Sequence, residues 1–142
     1  MLTFELVTLD GVKHSSECYE VILPTNEGQI AVFPHHVPLV SVASPGVVSV
    51  RQRATDGDEL LQHFATDGGV IEINDRRVRL LTDEAEAADD IDHTETQAAL
   101  ARARELAAQA DDKVATADAM ALIERRLAQL KVTELSNRKR NR

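Results

Sequence analysis

The composition of the chain changes sharply near residue 84, and this change limits the possible folds more than any other feature. Before it, short segments rich in Val, Ile and Thr alternate with turn residues, whereas Ala, Asp, Glu, Arg and Leu dominate after it. β-branched residues favour strands, while Ala, Glu, Arg and Leu favour helices. We therefore expect a β-domain over residues 1–84, followed by an α-helical region.

Eight segments of the first part have strand character. They are β-branched and broadly alternating, and lie at 2–9, 18–23, 29–33, 39–43, 47–52, 60–66, 70–73 and 78–82. Turn residues separate them, at Asp10-Gly11, Pro45-Gly46, Asp56-Gly57, Gly68-Gly69 and Asn74-Asp75. Asp56-Gly57 and Asn74-Asp75 suit hairpin turns, and Gly68-Gly69 suits a tight bend or bulge. Strands at this spacing predict a sandwich or a barrel.

A helix is expected to begin after Asp92. Asp92-His93-Thr94-Glu95 has the pattern of a capping box, in which Asp92 accepts backbone N–H bonds and Glu95 reaches back. A break near residues 110–113 should end this helix, and a second helix should run to about Leu135. Two helices joined by a short connection pack antiparallel, which predicts an α-helical hairpin over 92–135, after a linker at 85–91 and before a basic, disordered tail at 136–142.

The apolar residues of both helices are small or few. The predicted apolar line of the first helix is Ala99, Ala103, Leu106 and Ala110. The predicted stripe of the second is Met120, Ile123, Leu127 and Leu130, extended by Val114 and Ala117. Alanines bury little apolar area, about 1 kcal/mol per methyl at most, so the hairpin should depend on the β-domain or on a partner. It is either a conformational switch or a permanently folded lid.

Charge is unevenly distributed along the chain. The net charge is −8, but residues 119–142 hold seven basic and two acidic residues. Such a basic end could bind nucleic acid, anionic lipid or an acidic protein surface, or could be a solvated, frayed terminus. No apolar run approaches the roughly 20 residues of a membrane span, and residues 1–5 lack the basic start and apolar stretch of a secretory signal, so we expect a soluble protein without membrane insertion.

The sequence lacks the patterns of an enzyme active site. Cys18 is the only cysteine, which excludes an internal disulfide and a zinc site with two sulfur ligands. Adjacent positions in a strand point to opposite faces, so His35 and His36 are a poor metal pair. Gly68-Gly69 lacks the spacing of a phosphate-binding loop, and the four aromatic residues are too scattered to stack on bases. We expect no catalytic residue, no metal and no nucleic acid.

One stretch resembles the ATP synthase epsilon family, of the bacterial type. Residues 24–40 carry Pro24, Glu27-Gly28 and Pro34-His35-His36-Val37-Pro38-Leu39, where the family has Glu-Gly and then Pro-Gly-His-Ala-Pro-Leu. Further matches follow in order at Pro45-Gly46, 68–73, 78–85, 90–92, 125–127 and 130–132. His35 and Val37 replace the family's Gly and Ala, which puts the local turn geometry in question. The resemblance implies an α+β fold, an antiparallel β-sandwich of about eight to ten strands followed by a two-helix hairpin.

The resemblance also implies a function and partners. Family members are non-catalytic rotor subunits of proton-translocating F-type ATP synthase, peripheral at the cytoplasmic face of the bacterial plasma membrane. The loop from Glu27 to Pro38 would face the membrane ring of c subunits, and the sandwich would dock on the gamma subunit. The corresponding interface candidates are Glu27, Gly28, Gln29, His36 and Pro38.

In the family the hairpin acts as a brake. It extends along gamma and inserts between the catalytic alpha and beta subunits, which restrains ATP hydrolysis. The basic end of the chain suits an acidic surface on beta, and its candidate contacts are Arg125, Arg126, Lys131, Arg138, Lys139 and Arg140.

Some bacterial relatives bind ATP through an Ile-Asp-x-x-Arg-Ala motif. Residues near the family's ligand positions are Glu86, Ile91, Asp92, Arg102 and Arg125. Glu95 stands where the motif has its arginine, and a carboxylate there would repel phosphate. We therefore expect no cofactor, and at most weak ATP binding. Two other readings remain open: a free-standing ATP-sensing module, and a metal-dependent sandwich enzyme built around His35-His36.

Overall fold

The computed structural model describes residues 1–141 and has eight strands followed by two helices. The strands are β1 (Leu2–Thr8), β2 (Gly11–Cys18), β3 (Glu20–Thr25), β4 (Gly28–Val32), β5 (Leu39–Arg51), β6 (Gln62–Asn74), β7 (Arg77–Leu81) and β8 (Ala85–Ala87). The helices are α1 (His93–Gln109) and α2 (Lys113–Arg140), and single 3-10 turns lie at Asp58–Leu60 and Ala88–Asp90. The predicted order, a β-domain and then two helices, is confirmed.

The two long strands β5 and β6 divide the sheet into two layers. The sheet order is β2-β1-β7-β6-β5-β3-β4, and β8 pairs with β6. In layer A, β1, β2 and β7 join the halves 39–43 of β5 and 70–74 of β6. In layer B, β3, β4 and β8 join the halves 47–51 and 62–66. Both long strands therefore bend between layers, near residues 44–46 and 67–69.

The core lies between the two layers. Phe4, Leu6 and Leu80 of layer A are fully buried, as are Val21 and Val48 of layer B. These side chains belong to one cluster of sixteen buried residues, all of them between residues 2 and 85. Because no helical residue contributes to this cluster, the sandwich has a core of its own.

The sandwich has two distinct ends. At the bend end lie the β1–β2 turn, the β3–β4 turn at 26–27 and the bends of β5 and β6. At the opposite end, the loop 33–38 crosses from β4 of layer B to β5 of layer A. There Tyr19 packs edge-on against Phe33, with ring centroids 5.5 Å apart, and His35 lies 3.5 Å from Asp75.

Several strand predictions differ from the structure. The segments predicted at 39–43 and 47–52 form one strand, as do those at 60–66 and 70–73, and Pro45-Gly46 lies within β5. Asp56-Gly57 belongs to a longer connection instead of a tight hairpin, while Asn74-Asp75 does form the β6–β7 turn. β2 was not predicted. The sheet is also not wholly antiparallel, because β1 and β7 pair in parallel.

The helix termini follow from two aspartates. Asp92 accepts a hydrogen bond from the Glu95 backbone N–H at 2.9 Å, as predicted, and Asp112 accepts from Ala115 at 2.7 Å. The Glu95 carboxylate lies 3.6 Å from Arg102, along the helix. The predicted linker 85–91 contains β8 and a 3-10 turn. The helix α2 continues to Arg140, so the prediction of a disordered tail is wrong for residues 136–140.

The buried face of α2 is not the predicted one. Met120 and Leu127 are 48% and 44% exposed, and Val114 of the same helix is also exposed. In α1, Leu106 is exposed. The side chains that face the sandwich form a different stripe, at Arg125, Ala128, Gln129, Val132 and Thr133. This spacing of three and four residues is one face of a helix, but two of its members are alanine and valine and the others are polar.

Two partly buried histidines should make stability depend on pH. His14 lies between Phe4 and Phe64, with ring centroids 6.1 Å and 4.7 Å away, and burial lowers its pKa. Burial, and then Lys139, lowers the pKa of His63. The folded state therefore favours the neutral rings, and protons bind first to the unfolded state as pH falls below its ordinary histidine value of about 6.5.

We expect the free energy of unfolding to fall as pH is lowered from about 7.5 to 5, because the unfolded chain binds these protons more readily. Urea titrations across this range measure the effect. His14→Gln should flatten the dependence, whereas the same change at the exposed His93 should leave it as it is. An unchanged pH dependence in His14→Gln would contradict the assignment.

Candidate interaction surfaces

The helix α2 lies against layer B through a small apolar cluster. Ala128 and Val132 pack with Ala65 of β6, and Val47, Ala88 and Ile91 surround them. Val132 is fully buried, yet the cluster has few methyl groups. Apolar burial alone therefore attaches the hairpin weakly to the sandwich.

Polar contacts complete this seam. The Arg125 Nη2 donates to the Asp67 carboxylate at 2.5 Å, and its Nη1 lies 3.3 Å from Glu84. One turn further along, the Gln129 amide donates to Glu86 at 2.8 Å. The hydrogen bond to Asp67 raises the pKa of Arg125 further above its ordinary value. These contacts fix the register of α2 on the bend of β6 and on β8.

A second, more open contact lies at the C-terminal end of α2. A cavity of about 290 Å³ is lined on the sandwich side by Asp58, Glu59 and His63, and on the helix side by Arg138 and Lys139. Arg51 anchors this acidic loop, since it donates to Glu20 at 2.6 Å and to Asp58 at 2.8 Å. Opposite charges therefore face each other across the cavity.

The predicted brake residues lie on this same helix but differ in their surroundings. Arg125 is held by the sandwich, and Arg126 donates to Gln129 at 3.0 Å. Lys131 lies 3.8 Å from Glu134 and lines a cavity that α2 forms with the bend of β5. Arg138 and Lys139 line the cavity beside Asp58, and Arg140 bonds to Asn137. In this docked hairpin the six do not form one patch.

The five residues near the family's nucleotide positions each contact a partner outside that set. Arg125 contacts Asp67, Glu86 contacts Gln129, and Arg102 lies beside Glu95. Asp92 caps α1, and Ile91 packs on the seam cluster. Arg125, Glu86 and Ile91 thus hold the hairpin on the sandwich, whereas the contacts of Asp92 and Arg102 lie within the first turns of α1.

The candidates at 27–38 lie at two different places. The β3–β4 turn with Glu27 and Gly28 is at the bend end, because Gly28 pairs with Thr25. His36 and Pro38 follow the other end of β4, after Val32. From Gly28 to Val32, β4 spans about 13 Å at 3.3 Å per residue, which separates the two groups. The expectation of one continuous contact loop from Glu27 to Pro38 is thus not met.

The turn at His35 keeps the geometry that glycine would provide. His35 has φ 67°, the left-handed region that glycine occupies easily. Its ring lies beside Asp75, and the following His36 ring contacts the Val37 carbonyl oxygen at 2.7 Å. No group of three or more metal-binding side chains occurs among residues 1–141. The two histidine rings thus contact different groups, the Asp75 carboxylate and the Val37 carbonyl oxygen, and do not converge on a common point.

An aliphatic row on the outer face of layer A was not predicted. Neighbouring strands place its members in register, one from each of five strands: Val12, Val7, Leu81, Val70 and Val42. Val12, Val42 and Val70 are 63%, 62% and 40% exposed, and Val40 beside them is 73% exposed. Cross-strand neighbours share a face, so the row is continuous. The alternation in β1, β5 and β7 was visible in the sequence, but the pairing that aligns these strands was not.

A charged row runs parallel to the aliphatic one. Arg79 donates to Glu5 at 2.9 Å and lies 3.9 Å from Glu72 on its other side. An apolar row bordered by ion pairs is typical of a protein-binding surface.

None of the helices within residues 1–141 is long and apolar enough to cross a membrane.

Comparisons with known proteins agree over nearly the whole chain. Residues 1–88 match the family model of the ATP synthase delta/epsilon chain β-sandwich domain. The ATP synthase epsilon chain of Alkalilimnicola ehrlichii is 31% identical, over 99% of this chain and 98% of its own. The epsilon chain of Chromobacterium violaceum is also 31% identical, over 92% of this chain and 91% of its own.

Solved structures support the same fold. A chain of the Euglena gracilis mitochondrial ATP synthase matches with a TM-score of 0.75 and 23% identity, over 96% of this chain and 81% of its own. A chain from the central stalk and c-ring of the Tetrahymena thermophila mitochondrial ATP synthase matches with a TM-score of 0.60 and 15% identity, over 93% of this chain and 96% of its own. The sandwich and the hairpin are both matched, and the chain belongs to the family of ATP synthase epsilon chains.

Proposed function

We propose that this chain is a non-catalytic rotor subunit of a proton-translocating F-type ATP synthase, with a sandwich that binds the central stalk and a hairpin that restrains ATP hydrolysis. The main support for the proposal is that the two outer faces of the sandwich differ. The hairpin covers layer B, whereas the outer face of layer A leaves an aliphatic row exposed. One face is therefore free for permanent docking while the other holds a removable element.

The partner of the aliphatic row is the gamma subunit. The aliphatic row crosses five strands, about 19 Å at 4.8 Å between strands, and with the adjacent charged row it supplies one continuous part of a protein–protein contact. Rotor contact needs shape complementarity and hydrogen bonds and requires no reactive side chain.

The membrane ring of c subunits is proposed to contact the end of the sandwich at 33–39. This end exposes Phe33, Val37 and Leu39, at 41%, 71% and 39%. His36 and Pro38 lie there, while Glu27, Gly28 and Gln29 lie at or near the bend end and contact another surface. This arrangement would place the protein at the cytoplasmic face of the plasma membrane, as a peripheral part of the complex.

The brake is the hairpin in an extended state. Releasing α2 from layer B would free Arg125 and Arg126 to join Lys131, Arg138, Lys139 and Arg140 against an acidic surface of the catalytic alpha and beta subunits. The apolar residues that the docked hairpin leaves exposed, Leu106, Val114, Met120 and Leu127, would become contacts for the same partners. A docked state and an extended state are the two positions that a brake requires.

Adding the full-length protein to a catalytic sector stripped of this subunit should slow ATP hydrolysis, and a version ending at Ala88 should not. The truncated version retains the whole sandwich core, since that core ends at Ala85. Steady-state ATPase rates at increasing concentrations of each protein provide the measurement. Competition between the two versions is the control, because the truncated protein should displace the full-length one and relieve inhibition. Equal inhibition by both proteins would contradict the proposal.

A further inference from the structure

Arg125 meets two carboxylates that the backbone of the sandwich holds in place. Asp67 lies at the bend of β6, and its side chain is only 13% exposed. The Asp67 backbone N–H donates to the Glu84 carbonyl oxygen at 3.2 Å, which fixes the two acidic residues beside each other. The guanidinium contacts both carboxylates with separate nitrogen atoms. The sandwich thus presents a preformed anionic notch to α2.

The other contacts between α2 and the sandwich contribute little free energy to the docked state. Ala128 and Val132 bury little apolar surface, and the Gln129–Glu86 bond is a single hydrogen bond. Gln129 is neutral and contacts one carboxylate, whereas the Arg125 cation contacts two, so Coulomb attraction adds to its hydrogen bond. If the hairpin left, the acidic residues around the notch would lose the cation that faces them.

The notch leaves no room for a bound anion. The cavity beside Arg125, lined by Asp67, Glu84, Glu86 and Gln129, holds about 10 Å³. That is at most the space of one water molecule. A phosphate group placed there would also face three carboxylates, and Coulomb repulsion opposes it.

We propose that Asp67 and Glu84 are built-in counter-anions for Arg125 and form with it a latch that holds the hairpin against the sandwich without any small-molecule ligand. The latch depends on the proposed function only in its consequence, because it then sets how readily the brake is released. Its strength is encoded in the chain, so the docked population responds to ionic strength and to these three side chains, and not to nucleotide.

Hydrogen–deuterium exchange of the full-length protein tests the latch directly. Asp67→Asn and Arg125→Gln should each raise the exchange rates of amides in 125–133 and in β8 by about tenfold or more, because a charge-assisted contact is lost. Exchange in β1 and β7 should stay unchanged, which shows that the sandwich is folded. The matched control is Asp75→Asn, since Asp75 is an exposed aspartate beside His35 in the β6–β7 turn.

A charge swap separates the ion pair from a general effect of mutation. The double variant Asp67→Arg with Arg125→Asp should recover part of the lost protection, because residues 67 and 125 attract again while Glu84 still lies beside residue 125. Raising the salt concentration should increase exchange at the seam of the wild-type protein, with a smaller effect in Arg125→Gln. Adding millimolar MgATP to the wild type should change no seam amide. Wild-type protection in both single variants, or strong protection by MgATP, would overturn the proposal.

The failure of the latch and that of the brake are distinguishable. If Arg125→Gln raises seam exchange and hydrolysis is unaffected by any version of the protein, the latch stands and the brake is wrong. If the full-length protein inhibits hydrolysis but the variants exchange like wild type, the brake stands and the latch is wrong.

Discussion

Gly69→Ala is expected to unfold the sandwich. Gly69 lies where β6 passes from one layer to the other, and it has φ 129°, which side chains of L-residues rarely allow. A Cβ at this position would lie 1.9 Å from the Leu81 carbonyl oxygen and 2.9 Å from its carbonyl carbon. Both are backbone atoms of β7, so relief requires the two strands to separate at the bend.

The expected loss is about 4 kcal/mol or more, since backbone strain and a buried clash act together. A domain of this size has about 5–15 kcal/mol of stability, so the variant should be largely unfolded or melt far below the wild type. Circular dichroism and urea titration measure this.

Gly11→Ala is the matched control for the bend. Gly11 also has positive φ, at 113°, but no atom lies within 4 Å of the added Cβ. It should therefore cost only the backbone strain, about 1 kcal/mol. If the two variants were equally stable, the close approach of β6 and β7 at Gly69 would be wrong.

The same glycine pair shows how far the sequence predicts this fold. Gly68-Gly69 was expected to be a bend or bulge, and the structure places both residues at positive φ. The sequence could not show that the strands on either side are one continuous strand. Two layers share β5 and β6, and such sharing depends on pairing between residues far apart, such as Val47 with Ala65.

Two strands escaped prediction because their residues carry little strand signal. β2 contains Lys13, His14, Ser15, Ser16 and Glu17, and lies at the edge of the sheet, where polar residues are tolerated. β8 has three residues, Ala85–Ala87, in a segment of helical composition. In both cases the hydrogen bonds of a neighbouring strand decide the conformation.

The site residues show the opposite limit. The sequence indicates Arg125 as a charge for a protein partner or a nucleotide, yet its partner in the docked hairpin is Asp67, 58 residues earlier. Of the predicted stripe, Met120 and Leu127 are left exposed and Ile123 and Leu130 are half-buried. An amphipathic pattern indicates that one face of a helix is apolar, but does not indicate which surface covers that face. In a hairpin with a docked and an extended state, the face with the larger apolar residues is available to the partner of the extended state.

Val42→Asp is expected to weaken binding to the catalytic sector about 100-fold, because a carboxylate would be buried at the β5 end of the aliphatic row, beside Val70. Val42 and Val70 face each other across β5 and β6, and both are exposed in the isolated protein. The Val42 side chain is 62% exposed, so replacing it should change the free energy of unfolding by less than about 1 kcal/mol. A loss of binding would then reflect docking alone.

The measurement is equilibrium binding of the labelled full-length protein to a catalytic sector that contains gamma and lacks the membrane ring. The matched control is Val37→Asp, because Val37 is 71% exposed and lies in the loop at 33–38, at the end of the sandwich opposite the bend and the aliphatic row. It should bind like wild type in this assay and lose affinity only when the ring is present. If Val42→Asp bound normally while Val37→Asp did not, gamma would dock at the loop end of the sandwich, and the aliphatic row would not be the rotor contact.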